Sequence, residues 1–125
     1  MKIKLNYKIK HKIWIENEKG EGILGDGKWE LLKIIHDTAS LKTAIEKMGW
    51  GYRSTWTKLK NIENKLNFKI IEKSRGGIGG GGYTKLTKEG ELLVEHFQKL
   101  HNEIDSIIKK PVEDFLSRIE KIKVG

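Results

Sequence analysis

The chain has 125 residues, the size of one domain, and its 25 basic and 17 acidic side chains give a net charge of +8. The absence of cysteine excludes disulfides, thiolate metal sites and cysteine nucleophiles. No run of 18 apolar residues and no signal-peptide block is present, so the sequence predicts a cytoplasmic protein with no membrane partner.

The positive charge is concentrated in the middle third of the chain. Residues 40–88 carry eleven basic and three acidic side chains, whereas residues 1–39 have a net charge of +2 and residues 89–125 a net charge of −2. A localised positive field favours a polyanionic partner. A basic surface that serves only solubility is the alternative.

The N-terminal segment alternates apolar residues with polar ones, mostly lysine. The apolar positions are Ile3, Leu5, Tyr7, Ile9, Ile13 and Ile15. A period of two predicts a half-buried strand. ENEKGEG at 16–22 predicts a turn, and Ile23 and Leu24 predict a short return strand, so we expect a hairpin. The lysines suit a solvated edge, and contact with DNA is their alternative role.

Helical signals begin at Asp26, which we expect to cap a helix over residues 27–37. Ser40 is expected to cap a second helix, whose apolar residues recur at helical spacing until Gly49 ends it. A third helix is predicted from Tyr52 to about Leu66. Its inward-facing residues are expected to be Trp56, Leu59, Ile62 and Leu66.

The second and third helices, joined by a glycine-bearing turn at 49–51, form a helix-turn-helix pattern. The outward face of the third helix contains only one acidic residue, Glu63, so we expect it to contact double-stranded DNA. The candidate residues on this helix are Tyr52, Arg53, Ser54, Thr57, Lys58 and Lys60. Arg53 is the candidate for base readout, since a guanidinium can bind guanine O6 and N7 together, and the two lysines are expected to hold the backbone. A merely solvated helix face is the alternative.

The glycine-rich tract at 76–82 lies between two predicted strands, 68–73 and 83–86. Gly77, Gly79 and Gly82 match G-x-G-x-x-G, but a strand follows them where a nucleotide loop requires a helix N-terminus, so we do not expect nucleotide binding. A hairpin after a helix-turn-helix is a wing, and a loop without contacts is the alternative. The DNA contacts expected from the second helix and the wing are Ser40, Lys42, Lys73, Arg75, Gly79, Gly80, Gly81, Gly82 and Lys85.

The last helix is expected to begin after Thr87 and to carry an apolar stripe that is too long for one small domain to bury. We therefore expect a homodimer, although packing of the helix on its own domain is an alternative. The predicted interface residues are Leu93, Phe97, Leu100, Ile104 and Ile108. Pro111 is expected to break or kink this helix. The fold class is α+β, mostly α, with a winged domain at 1–88 and a dimerisation helix at 89–125 as parts of a single domain.

The four histidines show no metal-ligand spacing and no partner constellation in the sequence. We therefore expect no catalytic residues, no metal and no cofactor, and the protein is not expected to be an enzyme.

Two stretches resemble a known family. GWGYRSTWTKLKNIENKL and IIEKSRGGIGGGGYTKLTKEGELLVEHF are similar to the DNA-binding domain of the molybdate-responsive regulator (ModE) family. The shared elements are the Tyr-Arg-x-x-Trp start of the third helix, the glycine wing, and Leu86, Thr87, Gly90, Leu92 and Leu93 after it. The resemblance implies a LysR-like winged helix, dimerised through its first and last helices.

This chain departs from that family at three places. It has Ala39-Ser40 where the family commonly has Gly-Ser, and Gly51 where the family commonly has Ser. It also ends at Gly125, so we expect the molybdate-binding domain to be absent and molybdate binding to be doubtful.

The function expected is that of a homodimeric, sequence-specific transcriptional regulator, a stand-alone ModE-like DNA-binding domain. The alternative is a winged-helix protein-interaction or RNA-binding module without sequence-specific DNA recognition, since a fold does not fix a function.

Overall fold

Four helices and four short strands make up the protein in a computed structural model, which describes residues 7–74 and 83–122. The elements are, in chain order, β1 (Trp14–Glu16), β2 (Gly22–Gly25), α1 (Asp26–Thr38), α2 (Leu41–Met48), α3 (Tyr52–Leu66), β3 (Ile71–Ser74), β4 (Tyr83–Leu86) and α4 (Lys88–Ile122). The strands pair as two antiparallel hairpins, β1 with β2 and β3 with β4. The mostly α winged helix with an N-terminal hairpin and a long C-terminal helix is confirmed.

The chain divides into two compact units. The first comprises residues 12–97, and the described part of the second comprises residues 7–11 and 98–122. The first unit contains a core of apolar side chains from α1, α3 and the strand ends. Its fully buried members are Leu24, Leu31, Leu32, Ile35, Ala44 of α2, Leu59, Ile62 and Ile70.

The N-terminal hairpin is shorter than the alternating pattern predicts. Trp14 pairs with Gly25 and Ile15 with Leu24, and no strand extends over residues 7–13. The reason is that α1 begins at Asp26, directly after β2, so the residues before Trp14 have no strand to pair with. Residues 3 and 5 of the pattern lie outside the described residues.

The start of α1 also differs from the prediction. Gly25 occupies the N-cap position, and Asp26, expected to be the cap, is the first helical residue. A carboxylate in the first turn still interacts favourably with the helix dipole. At the other end Ala39 adopts φ 53°, a left-handed conformation that favours glycine. This is the position at which the resembling family commonly has Gly.

The strand stem of the wing pairs Ile71 with Leu86 and Ser74 with Tyr83, and the predicted strand 83–86 is confirmed. The first strand begins at Ile71, later than the predicted residue 68, and the amides of Ile70 and Ile71 donate to the carboxylate of Glu63. The glycines 79–82 and Arg75 lie outside the described residues.

Helix α4 runs without interruption from Lys88 to Ile122. Thr87 caps it as predicted, since the Gly90 amide donates to Thr87 Oγ1 at 3.0 Å. Of the predicted break or kink at Pro111, the break is wrong, since the helix continues through this residue, and the kink stays a prediction. Proline removes one helical hydrogen bond, from the carbonyl of Ile107, and both residues are exposed, so water is available to that carbonyl.

Not all of the predicted dimer stripe is exposed. Phe97 is 3% exposed and packs 5.5 Å from the ring of Trp29, and Leu93 packs against the same core. Leu100 is exposed, and Ile104 and Ile108 are half-buried. In the described residues, no helix has the length and apolar character needed to cross a bilayer.

Candidate nucleic-acid interface

The helix-turn-helix is fixed by short-range hydrogen bonds at its turns. Ser40 Oγ accepts from the Thr43 amide at 3.0 Å, which caps α2, and Gly49 ends α2 at φ 72°, both as predicted. The N-cap of α3 is Gly51, which has no side chain for this role. Instead its carbonyl accepts from both the amide and the hydroxyl of Thr55, each at 2.9 Å. The predicted range of α3, Tyr52 to Leu66, is confirmed.

The leading end of α3 presents polar side chains to solvent. Tyr52 is 60% exposed, and Arg53, Ser54 and Thr57 are exposed as well. Arg53 forms no salt bridge with a carboxylate in residues 7–74 and 83–122. Within those ranges, no carboxylate offsets the charge of its guanidinium.

Two lysines of α3 are already engaged within the chain. Lys58 Nζ donates to Ser54 Oγ at 2.6 Å and lies 4.8 Å from the centre of the Trp50 ring. Lys60 Nζ lies 3.3 Å from Glu63 Oε1, so its charge is partly compensated. Of the two, Lys58 is thus the one whose charge is not offset by a carboxylate.

Glu63, the one acidic residue of α3, does not lie on the exposed face. It is 8% exposed, and its Oε2 accepts from the amides of Ile70 at 2.9 Å and Ile71 at 3.2 Å. Burial alone would raise the pKa of Glu63, but these two hydrogen bonds and Lys60 together lower it. The exposed face of α3 consequently contains no carboxylate.

Three ammonium groups near the start of α1 form a basic cluster that sequence reasoning missed: Lys28, Lys58 and Lys65. Burial lowers the pKa of Lys28 first, and the charges of Lys65 and Lys58 lower it further. Lys28 Nζ donates to the carbonyl of Ile23 at 3.3 Å. Because the three belong to α1 and α3, only the fold reveals their proximity. Lys65 Nζ also lies 3.9 Å from Glu21 Oε2 and donates to the carbonyl of Gly22 at 3.1 Å, so its charge is partly compensated.

The wing stem is attached to α3 through an aromatic contact. Lys73 Nζ lies 4.2 Å from the centre of the Trp56 ring, within cation–π distance. Lys85 Nζ lies 3.5 Å from Glu72 Oε1 on the paired strand, so its charge is partly compensated. Lys42 on α2 is exposed, whereas Ser40 uses its hydroxyl for the cap.

The fold and this basic surface define the chain as a winged-helix protein. No protein-family model matches it. It is 33% identical over 70 residues to "Transcriptional regulator ModE" of Yersinia pestis and 36% identical over 70 residues to "Molybdenum transport protein ModE" of Herbaspirillum seropedicae, matches that cover 56% of this chain. It is also 29% identical over 98 residues, 78% of this chain, to "Molybdenum-pterin-binding protein MopB" of Rhodobacter capsulatus.

These relatives confirm the resemblance predicted from the sequence, that of a ModE-family DNA-binding domain. The aligned part covers 26% of each ModE relative and 33% of the MopB relative, so the chain spans about a quarter to a third of their length.

Proposed function

We propose that the protein is a sequence-specific DNA-binding transcriptional regulator that acts as a homodimer in the cytoplasm, and not an enzyme. The observation that carries this proposal is the exposed face of α3, which bears Arg53, Ser54 and Thr57 and, with Glu63 buried, no carboxylate. An acid-free helix face in the most basic third of the chain suits a polyanion. Two of the ModE relatives are named transcriptional regulators, which supports the proposal of a DNA-binding regulator.

In the proposed complex, α3 enters the major groove with its N-terminus leading. Arg53, in the first turn of α3, reads a base, and Tyr52, Ser54 and Thr57 contact neighbouring bases or phosphates. Lys28 and Lys58, which line one groove, hold a phosphate, because an anion stabilises the charged form of Lys28 that burial disfavours. The wing contacts the DNA backbone beside these lysines.

Exposed apolar side chains on α4 are the basis for proposing a homodimer. Leu100, Ile107, Phe115 and Ile122 are large, apolar and exposed. At 3.6 residues per turn these four residues fall within an arc of about 80° on the helix, and Ile108 widens the arc to about 100°, with Ile104 inside it. An exposed apolar stripe of this length favours pairing with a second copy. A two-fold axis would place the two α3 helices about 34 Å apart, or a multiple of that, to match successive turns of DNA.

The test is selection of bound duplexes from a random DNA pool by the full chain. The proposal predicts an enriched site of two inverted half-sites. No enrichment from the DNA pool, with binding to an RNA pool or to no nucleic acid, would refute sequence-specific DNA recognition and favour the RNA-binding or protein-interaction alternative. Enrichment of a single, non-repeated half-site would retain DNA recognition and refute the dimer.

A further inference from the structure

Three side chains that can ligate a metal come together in the unit formed by residues 7–11 and 98–122. His11, His101 and Asp105 each offer one ligand atom, and these atoms all lie within 4.8 Å of one another. His101 and Asp105 are separated by four positions on α4, so they lie on the same face one turn apart. The sequence predicted that no histidine lies near other potential metal ligands, whereas the structure brings His11 and His101 close to Asp105.

The ring of His11 lies beside a carboxylate of α4 and the ring of a second histidine. Its Nε2 lies 3.2 Å from Asp105 Oδ1, but within the described part of the chain this buried nitrogen has no hydrogen-bond partner. The rings of His11 and His101 are 6.3 Å apart and inclined by 39°. His11 Nε2 is therefore a buried nitrogen without a hydrogen bond and close to a carboxylate. Such an atom is suited to bind a metal ion.

The donor set indicates the kind of ion. Imidazole nitrogens suit zinc, copper, nickel and iron, whereas magnesium and calcium prefer oxygen ligands throughout. Zinc binds nitrogen and carboxylate oxygen at about 2.0–2.2 Å, so donors around a tetrahedral ion are about 3.4 Å apart. The separation of His11 from Asp105 already meets that value, and small side-chain rotations would bring in His101. Three protein ligands would leave one position for water.

From this geometry we propose that His11, His101 and Asp105 form a binding site for a divalent transition-metal ion, with zinc as its representative. The ion joins the segment that precedes β1 to helix α4. Metal binding then orders residues 7–11 on the helix. The proposal does not depend on the DNA-binding function proposed above.

Calorimetric titration of the untagged full chain with zinc chloride tests the proposal. One ion per chain is expected to bind, and magnesium chloride is expected to give no binding. His101→Ala should lower zinc affinity at least about 100-fold, since loss of a ligand exceeds the 10- to 100-fold effect of losing an outer-shell partner. Asp105→Asn should lower it at least about tenfold. His96→Ala is the matched control, because it removes an exposed histidine of the same helix, and it should leave the affinity unchanged.

Proton NMR of the wild-type imidazoles provides a readout that does not depend on the folding of any variant. Addition of zinc should shift the ring signals of His11 and His101 and leave those of His36 and His96 in place. Absence of zinc binding to the wild type, equal binding by His101→Ala, or equal shifts at all four histidines would overturn the proposal.

Discussion

Glu63 lies on α3, yet its carboxylate accepts hydrogen bonds from the segment that leads into the wing stem. The amide of Ile70, a fully buried residue, donates to Oε2, and so does the amide of Ile71. A buried amide without a hydrogen-bond acceptor lowers the stability of the folded state, and an ionised acceptor makes a stronger hydrogen bond than a neutral one. Glu63 therefore contributes both to the stability of the wing stem and to the absence of acid on the exposed face of α3.

We predict that Glu63→Gln lowers the free energy of unfolding at pH 7 by about 1–3 kcal/mol, because the charged acceptor is lost. Glu72→Gln, at an exposed carboxylate paired with Lys85, is the control and should change it by less than about 0.5 kcal/mol. Urea denaturation of the three proteins measures both effects. Equal stability of Glu63→Gln and wild type would contradict the role assigned to this carboxylate.

The same residue predicts a pH dependence. The pKa of Glu63 in the folded protein is below its ordinary value of 4.5, so folding favours the ionised form. Its contribution is present above pH 4.5 and is lost as the pH falls through the lower pKa of the folded state. Urea denaturation of wild type and Glu63→Gln over this range should show their stabilities converging as the pH falls, and a constant gap would contradict the assignment.

The elements that meet at the start of α4 explain one motif of the resembling family. Leu86 is buried, and Thr87 caps α4 and donates from its hydroxyl to the carbonyl of Lys69 at 2.6 Å. Gly90 lies where an added Cβ would overlap the carbonyl oxygen of Ile70. The Leu-Thr-x-x-Gly stretch thus joins the wing stem to the long helix, and its glycine is required by close approach.

We predict that Gly90→Ala destabilises the protein by about 1–3 kcal/mol, since overlap with backbone outweighs the gain of about 1 kcal/mol in helix propensity. Gly27→Ala is the control. A Cβ there would lie 3.5 Å from the Trp50 ring, an ordinary contact, and no loss of stability is expected. Thermal unfolding of both variants is the measurement. A Gly90→Ala protein as stable as the wild type would show that α4 does not approach Ile70 so closely.

Local patterns predicted the elements whose ends depend on nearby residues. Helix α2 has a serine at its start and a glycine at its end, and α3 begins after a glycine turn, so their bounds follow from the sequence. The length of β1 depends on where its partner strand ends, and the continuity of α4 past Pro111 depends on the surroundings of one carbonyl. The alternation of apolar and polar residues does not show where a partner strand ends. The presence of a proline does not show whether the carbonyl it leaves without a donor is exposed to water.

The candidate site was predictable to the same extent. The exposed side chains of α3 follow from helical periodicity once its buried face is known. The burial of Glu63 does not, because its partners are the amides of Ile70 and Ile71, beyond the end of the helix. The approach of Lys28 to Lys65, and of His11 to His101, also joins distant parts of the chain. For the histidine cluster, the only local indication in the sequence was the spacing of His101 and Asp105, which are four residues apart.

At the scale of the whole molecule, the dimer proposal rests on the exposed stripe of α4. We predict that Ile107→Glu, at a residue that is 73% exposed, converts the dimer to a monomer, because it places a charge in the apolar interface. Ser106→Glu adds the same charge at an exposed position off the stripe and should leave the dimer intact. Sedimentation velocity at micromolar concentration distinguishes them. A wild-type monomer, or a dimer unaffected by Ile107→Glu, would contradict this interface.

The charge distribution predicts a steep dependence of DNA affinity on salt. Residues 40–88 carry a net charge of +8, and a dimer that neutralises about six to ten phosphates should lose about 10³–10⁵-fold in affinity between 50 and 200 mM salt. Fluorescence anisotropy with a labelled duplex measures the slope. A flat response would show that these charges do not contact phosphates.

The central claim is that the leading end of α3 reads DNA sequence, and competition binding of Arg53→Ala tests it most directly. Lys109→Ala, which removes one positive charge from an exposed position of α4 on the side opposite the apolar stripe, is the control. With a selected duplex and a scrambled one, Arg53→Ala should lose about 1–3 kcal/mol of discrimination, and Lys109→Ala should lose none. Discrimination that is unchanged in Arg53→Ala, or lost equally in both variants, would contradict the account.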